Sequence, residues 1–287
     1  MLTTEAPGPA AGLGRRPTRA HIDLGALARN VRALGRRSGR RVMAVVKADG
    51  YGHGAVPVAR AARAAGAAWV GCATVAEGVE LRRAGDAGPI LVLGGFYPEE
   101  VDEALADALT PVVYGLPPRG GEAVAADLGG ATLARLAAAG RRRGRAVPVH
   151  VKLDTGMRRL GLAPDELPAF LDRLDALNAR GVVLQVEGLM SHLAAADDPA
   201  EAAYTAGQRA ALDDALTLLA ARGHAPRERH LDNSAGCADP WAAATLVRPG
   251  IALYGAHAPE AGLVEPVMTL ASAVTALRDV PAGATVS

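Results

Sequence analysis

From Thr18 onward, short apolar runs alternate with longer stretches in which apolar residues recur every three or four positions. The short runs, at residues 42–46, 69–73, 90–93, 112–114, 147–153, 182–190, 229–231 and 246–248, read as buried strands. Most of the intervals between them read as helices, and several carry end signals. A short extended piece over residues 18–23 precedes a helix with Asp23 as N-cap and Leu24, Leu27, Val31 and Leu34 on one face. Pro164 opens a segment that places Leu167, Phe170, Leu171, Leu174 and Leu177 on one face and stops at Gly181. Asp198, Pro199 and Glu201 form a start of capping-box type for a long Ala/Leu helix ending near Gly223.

Eight strand–helix units in about 240 residues is the arithmetic of an α/β protein of the (β/α)8 TIM-barrel type. A doubly wound sheet of eight strands is the rival, and periodicity does not separate the two. The barrel places chemistry at the C-terminal ends of its strands. After Gly255 the texture changes: residues 267–280 alternate weakly, and Pro281 to Gly283 reads as a turn. The expected organisation is a disordered lead over residues 1–17, a barrel over 18–258, and the first strands of a β-rich C-terminal domain, left incomplete, over 259–287.

Composition narrows the functions. Lys plus Arg total 31 against 30 Asp plus Glu, so the net charge is +1. That balance argues against an electrostatic nucleic-acid binder, despite the local runs Arg15, Arg16, Arg19 and Arg141, Arg142, Arg143, Arg145. With two Trp, five Tyr and two Phe, base-stacking platforms are not to be expected and the core must be Ala, Leu and Val. Two cysteines, Cys72 and Cys237, build no disulfide framework. No apolar run reaches membrane-spanning length, and the N-terminal residues lack a continuous apolar segment of the signal-peptide kind, so a cytoplasmic location is expected.

The strongest chemical signal is AVVKADGYGHG, residues 44–54, in which a buried strand delivers Lys47 to a loop containing Gly50, Gly52 and Gly54. Burial disfavours the charged form of an amine, and a neutral amine can attack an aldehyde. Lys47 is therefore a candidate Schiff-base lysine, the plainer alternative being a lysine snorkelling from a strand end. The glycines fit neither a GxGxxG nor a Walker A pattern. Further along, KLDTGMRRLG places Lys152 on the fifth strand and Arg159 in the loop above it, and EGLMSH puts His192 at the end of the sixth. NSA, with Ser234, follows the seventh strand, and VRPGIALYG carries Arg248, Gly250 and Ile251 at the end of the eighth. Loops after strands seven and eight are a recurrent phosphate site in barrels.

These segments, in this order, resemble the alanine racemase family of pyridoxal-phosphate enzymes, from about Thr18 to Ser287. The resemblance implies a homodimeric enzyme that interconverts L- and D-alanine, supplying D-alanine for peptidoglycan. It implies that Lys47 carries pyridoxal 5'-phosphate and moves the Cα proton on one face. Tyr51, Ser234 and the Gly250 and Ile251 amides would hold the phosphate. Arg248 would face the pyridine nitrogen, with His192 orienting it, and Arg159 would contact the cofactor's phenolic oxygen and the substrate carboxylate. An arginine stays charged at neutral pH, so it donates to an unprotonated ring nitrogen; that choice favours reprotonation over transamination. Lys152 matches a position the family carbamylates, and a carbamate there would be an anion able to fix Arg159.

Racemisation also needs a base on the opposite face of Cα, a tyrosine of the partner subunit in this family. The family pattern places it directly after the pair that here is Val286 and Ser287, so the sequence given is expected to lack it. Tyr97, Tyr114, Tyr204 and Tyr254 lie in segments that do not match that motif. Two other readings compete. One is a pyridoxal-phosphate-binding barrel without catalysis. The other is a metal-dependent barrel hydrolase using His150, His192 and His230 with Asp154 and Asp232, although the His-x-His and HExxH patterns of such enzymes are missing; no metal is expected.

Overall fold

The computed structural model describes residues 17–115, 128–179, 181 and 183–286. Of the lead expected over residues 1–17, all but Pro17 lies outside the described residues, as do Val182 and Ser287.

Ten strands are present among the described residues. The first, β1 (Arg19–Ile22), stands apart from the barrel. Eight then follow: β2 (Arg41–Val45), β3 (Trp69–Cys72), β4 (Ile90–Val92), β5 (Thr110–Val113), β6 (Val147–Lys152), β7 (Leu184–Met190), β8 (Glu228–His230) and β9 (Leu246–Val247). They pair in parallel in the order β8-β7-β6-β5-β4-β3-β2-β9. The ring closes between β8 and β9, where the Thr245 amide donates to the Arg229 carbonyl at 2.8 Å and the Arg248 amide donates to the Asp232 carbonyl at 2.9 Å. The protein is thus a (β/α)8 barrel rather than a doubly wound sheet. Strand β5 starts two residues before its apolar run: it begins at Thr110 and takes in Pro111, which pairs with Val92 although it has no amide to donate.

The helices begin and end where the local chemistry directs them. The Asp23 carboxylate accepts from the Ala26 amide at 2.9 Å and opens the helix Leu24–Ser38, which Gly39 ends in the left-handed conformation at φ 62°. A 3-10 turn, Pro164–Glu166, leads into the helix Leu167–Asn178, and Asp198 caps the turn before Ala202–Ala221. No helix among the described residues is long and apolar enough to cross a membrane.

Apolar burial falls into two layers. Met43, Trp69, Leu91, Val112, Met190 and Leu246 point from six different strands into the barrel, and a larger outer layer packs strands against helices. Truncating such a side chain to Ala costs about 2–5 kcal/mol because the cavity collapses only in part. The barrel interior is not wholly apolar. His150, Lys152, His230 and Arg248 are buried there, together with Glu228, which accepts from Arg41 at 2.6 Å.

Past the barrel, β10 (Met268–Ala271) is the strand within the weakly alternating stretch. It pairs antiparallel with β1, Arg19 opposite Ala271 and Ile22 opposite Met268, instead of folding into a hairpin with its sequence neighbour. The Asn30 side chain anchors the approach, donating to the carbonyls of Leu253 and Glu265 and accepting from the Glu265 amide at 2.8 Å.

Candidate active site

All nine residues singled out in the motifs line one cavity of about 600 Å3 at the C-terminal mouth of the barrel: Lys47, Tyr51, Lys152, Arg159, His192, Ser234, Arg248, Gly250 and Ile251. That volume suits a cofactor with a small substrate.

Lys47 follows β2 by two residues and opens an unusual turn. Ala48, Asp49, Gly50 and Tyr51 all adopt left-handed helical angles, φ between 51° and 62°. For non-glycine residues this costs roughly 1–2 kcal/mol each, so the surroundings must hold it. The Glu77 carboxylate accepts from the Ala48 amide at 2.8 Å, and the Asp49 carboxylate accepts from the Ala55 amide at 2.7 Å. The turn carries the Tyr51 ring into the cavity wall, with the Lys47 amine 5.7 Å from its centroid. Lys47 itself is partly buried at that wall; the deeply buried amine of the site is Lys152.

The loops after β8 and β9 meet at Ser234. Its hydroxyl accepts from the Gly250 and Ala252 amides, each at 3.1 Å. Gly250 leaves room for Tyr51: a Cβ there would lie 2.4 Å from the Tyr51 hydroxyl oxygen, so the phenol would have to shift. The Gly250 amide, expected to face a phosphate, donates to Ser234 instead, as does that of Ala252, so the donors left for a small cradle are the Tyr51 and Ser234 hydroxyls and the Ile251 amide.

Arg248 is buried, and most of its donors are committed. One terminal nitrogen donates to His230 Nδ1 at 3.0 Å and to the His230 carbonyl. The other donates to the carbonyls of Ser191 and Leu231 and to His192 Nδ1 at 3.1 Å. Nε is left without a partner among the described residues. Desolvation brings Arg248 down to about 10, still charged at neutral pH, and burial with the nearby Arg248 charge drives His192 to about 2. His192 is therefore neutral, and since its Nδ1 accepts from Arg248, its proton sits on Nε2.

Arg159 is exposed at the rim, on a loop wound around Asp154. The Asp154 carboxylate accepts from the amides of Gly156 at 3.0 Å, Arg158 at 2.8 Å and Arg159 at 2.7 Å. Below it Lys152 is pushed down to about 8, chiefly by burial and then by the charges of Arg248 and Arg159. Lys47, Lys152, Arg159 and Arg248 converge on one cavity, a field that selects an anionic ligand.

Motif reading left several supporting residues unassigned. Glu77 serves the Lys47 turn, and a Thr-x-x-Glu pattern at 74–77 is its trace in the sequence. Gln208, buried on an Ala/Leu helix, accepts from the Ala194 amide and donates to Thr155 and to the His192 carbonyl, joining two site loops. The histidines weighed as metal ligands are spent otherwise: His150 and His230 bond to each other, and His192 to Arg248. Among the described residues no group of three or more His, Cys, Asp or Glu is arranged to hold a metal. Tyr254 is buried and donates to the Val45 carbonyl.

Comparison with known proteins agrees with this geometry. The family model for the alanine racemase N-terminal domain matches residues 22–118 and 128–258. An alanine racemase of Symbiobacterium thermophilum is 46% identical over 264 residues, covering 91% of this chain and 64% of that protein; one from Desulforamulus reducens is 38% identical, covering 95% and 71%. In structure, the alanine racemase of a D-cycloserine-producing Streptomyces lavendulae superposes with a TM-score of 0.80 at 36% identity, covering 96% of this chain and 70% of that one. The chain thus spans about two thirds of the length of these relatives. By the family match and these identities, the chain belongs to the alanine racemase family and contains its N-terminal barrel domain.

Proposed function

We propose that this barrel is the pyridoxal-phosphate-binding part of a homodimeric racemase that interconverts L- and D-alanine. The observation that carries the reading is the convergence of one lysine, Lys47, a donor cradle and a buried arginine, Arg248, on the lining of one cavity. The residues fit the cofactor: a Cβ-free Gly250, the Ser234 hydroxyl and Tyr51 suit a phosphate, and the surrounding cations suit its charge.

When bound, the cofactor's aldehyde and conjugated ring supply a sink for the electron pair left as the Cα–H bond breaks. The rest is done by the chain. Lys47 would hold the aldehyde and, with its amine freed, would take or return the Cα proton on one face only, the proton on the opposite face being moved by a second group, for which the family resemblance implies a tyrosine of the partner subunit. Arg248 stays charged and offers the ring nitrogen a hydrogen bond without giving up its proton, which limits how far negative charge moves into the ring. Because its terminal nitrogens are fixed by His192, His230 and three carbonyls, its Nε is the donor available for that contact. Arg159 reads the substrate carboxylate from the loop that Asp154 organises. A carbamate on Lys152 would add an anion between Arg159 and Arg248 and relieve the cationic crowding there.

Reduction with borohydride in the presence of pyridoxal phosphate, followed by peptide mapping, tests this reading. The label is expected on Lys47. A label on another lysine, or none, would overturn it.

A further inference from the structure

A chain of imidazoles runs from Arg248 through the barrel's interior toward its opposite end. Arginine has donors only, so its 3.0 Å contact makes His230 Nδ1 an acceptor and places the His230 proton on Nε2. That Nε2 lies 2.8 Å from His150 Nδ1, which must then accept, placing the His150 proton on Nε2 as well. At the outer end His150 Nε2 is buried without a hydrogen-bond partner among the described residues, and a carboxylate oxygen, Glu187 Oε2, stands 4.0 Å away, too far for a hydrogen bond but rightly signed for an N–H. A cation at one end and a carboxylate at the other polarise the chain the same way.

The fold makes room for this arrangement. Both imidazoles are fully buried. The β6–β7 register shifts between Val149 and His150, where Glu187 is the extra residue on β7, and a Cβ on Gly188 would come within 2.5 Å of the His150 ring. Trp69 packs edge-on against that ring at 5.1 Å.

We infer that His150 is a positioning residue: through His230 it forms a one-way donor chain that fixes Arg248 in the cavity wall. Its relevance to the cofactor rests on the function proposed above; the chain itself does not. With His150 accepting, His230 cannot turn its own N–H toward the guanidinium. Remove that acceptor and the His230 Nε2–H is left buried and unpaired, while the other tautomer would set an N–H against the guanidinium, so neither form is favoured and the hold on Arg248 weakens.

Nitrogen-15 NMR of histidine-labelled protein, which reports the tautomer at each ring, tests this without any variant. Both rings are expected to be neutral with the proton on Nε2 from about pH 6 to pH 9; a proton on Nδ1, or a cation, at either ring overturns the inference. In His150→Leu the His230 signals are expected to shift to a mixture of tautomers. In His150→Asn, whose side-chain oxygen takes the place of Nδ1, they are expected to keep the parent pattern. A His230 spectrum unchanged by His150→Leu also overturns the inference. Added pyridoxal phosphate gives a second readout: its bound absorbance band is expected to move in His150→Leu and not in His150→Asn. If the parent fails to take up pyridoxal phosphate, the functional reading fails, while the tautomers still decide the chain.

Discussion

The carboxylate of Glu77 accepts a hydrogen bond from the backbone amide of Ala48, the residue next to Lys47, at 2.8 Å. Its other oxygen accepts from the amides of Ala73 and Thr74, at 2.6 and 3.4 Å, so one side chain pins the left-handed turn to the start of the helix Val75–Arg83. Replacing Glu77 with Gln keeps the shape but turns an N–H toward one of these donors. The expected cost is about 1–2 kcal/mol of stability by urea denaturation, with weaker pyridoxal-phosphate binding. Unchanged stability and affinity would show that the turn holds itself.

Gly250 and Tyr51 share a space too small for a methyl group, given the 2.4 Å approach of a Cβ to the phenolic oxygen. In Gly250→Ala the phenol must move out of the cradle. Pyridoxal-phosphate affinity is expected to fall by more than about tenfold, equivalent to about 1.4 kcal/mol, while the circular-dichroism spectrum stays that of the parent. Equal affinity by absorbance titration would remove Tyr51 and Gly250 from the proposed phosphate site.

The Lys152 amine, pushed down to about 8, is partly neutral at physiological pH and so able to add carbon dioxide. Native mass spectrometry from bicarbonate buffer is expected to show a mass gain of one carbon dioxide. Acidification should reverse the gain, and Lys152→Arg should abolish it. A gain that persists in Lys152→Arg would place the modification elsewhere.

Three histidines make the fold sensitive to acid. His150 and His192 are lowered to about 3 and about 2, and His230 well below its ordinary value, all chiefly by burial and then by Arg248. Each is neutral when folded and, below about pH 6.5, protonated when unfolded, so each contributes stability that is present above that pH and declines below it. Below that point each contributes a loss of about 1.4 kcal/mol per pH unit. Asp232, raised to about 6 by burial, works in the opposite sense between its unfolded value and pH 6, because there the folded state holds its proton more tightly. The net expectation is a steep fall in urea-unfolding free energy from pH 7 to pH 5. A flat profile would contradict the neutral, buried state of these rings.

The strand pattern and the site motifs were legible because both are local. Runs such as 147–153 and 246–248 mark buried strands, and VRPGIALYG announces its turn by Pro249 and Gly250. The turn at Ala48–Tyr51 was not legible, since Ala and Tyr do not favour left-handed angles and contacts from Glu77 and Asp49 hold them there. Nor was the partner of β10, which lies some 250 positions earlier in the chain. His150 and Lys152 alternate on one strand and so share its inward face, but spacing does not say that the imidazole meets His230 rather than a metal.

The β1–β10 ribbon makes the barrel a closed insertion between two strands that belong together. Two strands alone are marginal in water, and here almost all of the described chain lies between them. They meet where the closed ring brings Asp23 to Val267, whose carbonyl accepts its amide at 2.8 Å. The ribbon should therefore assemble last and melt first, reporting on barrel closure as a clasp reports on a fastened strap.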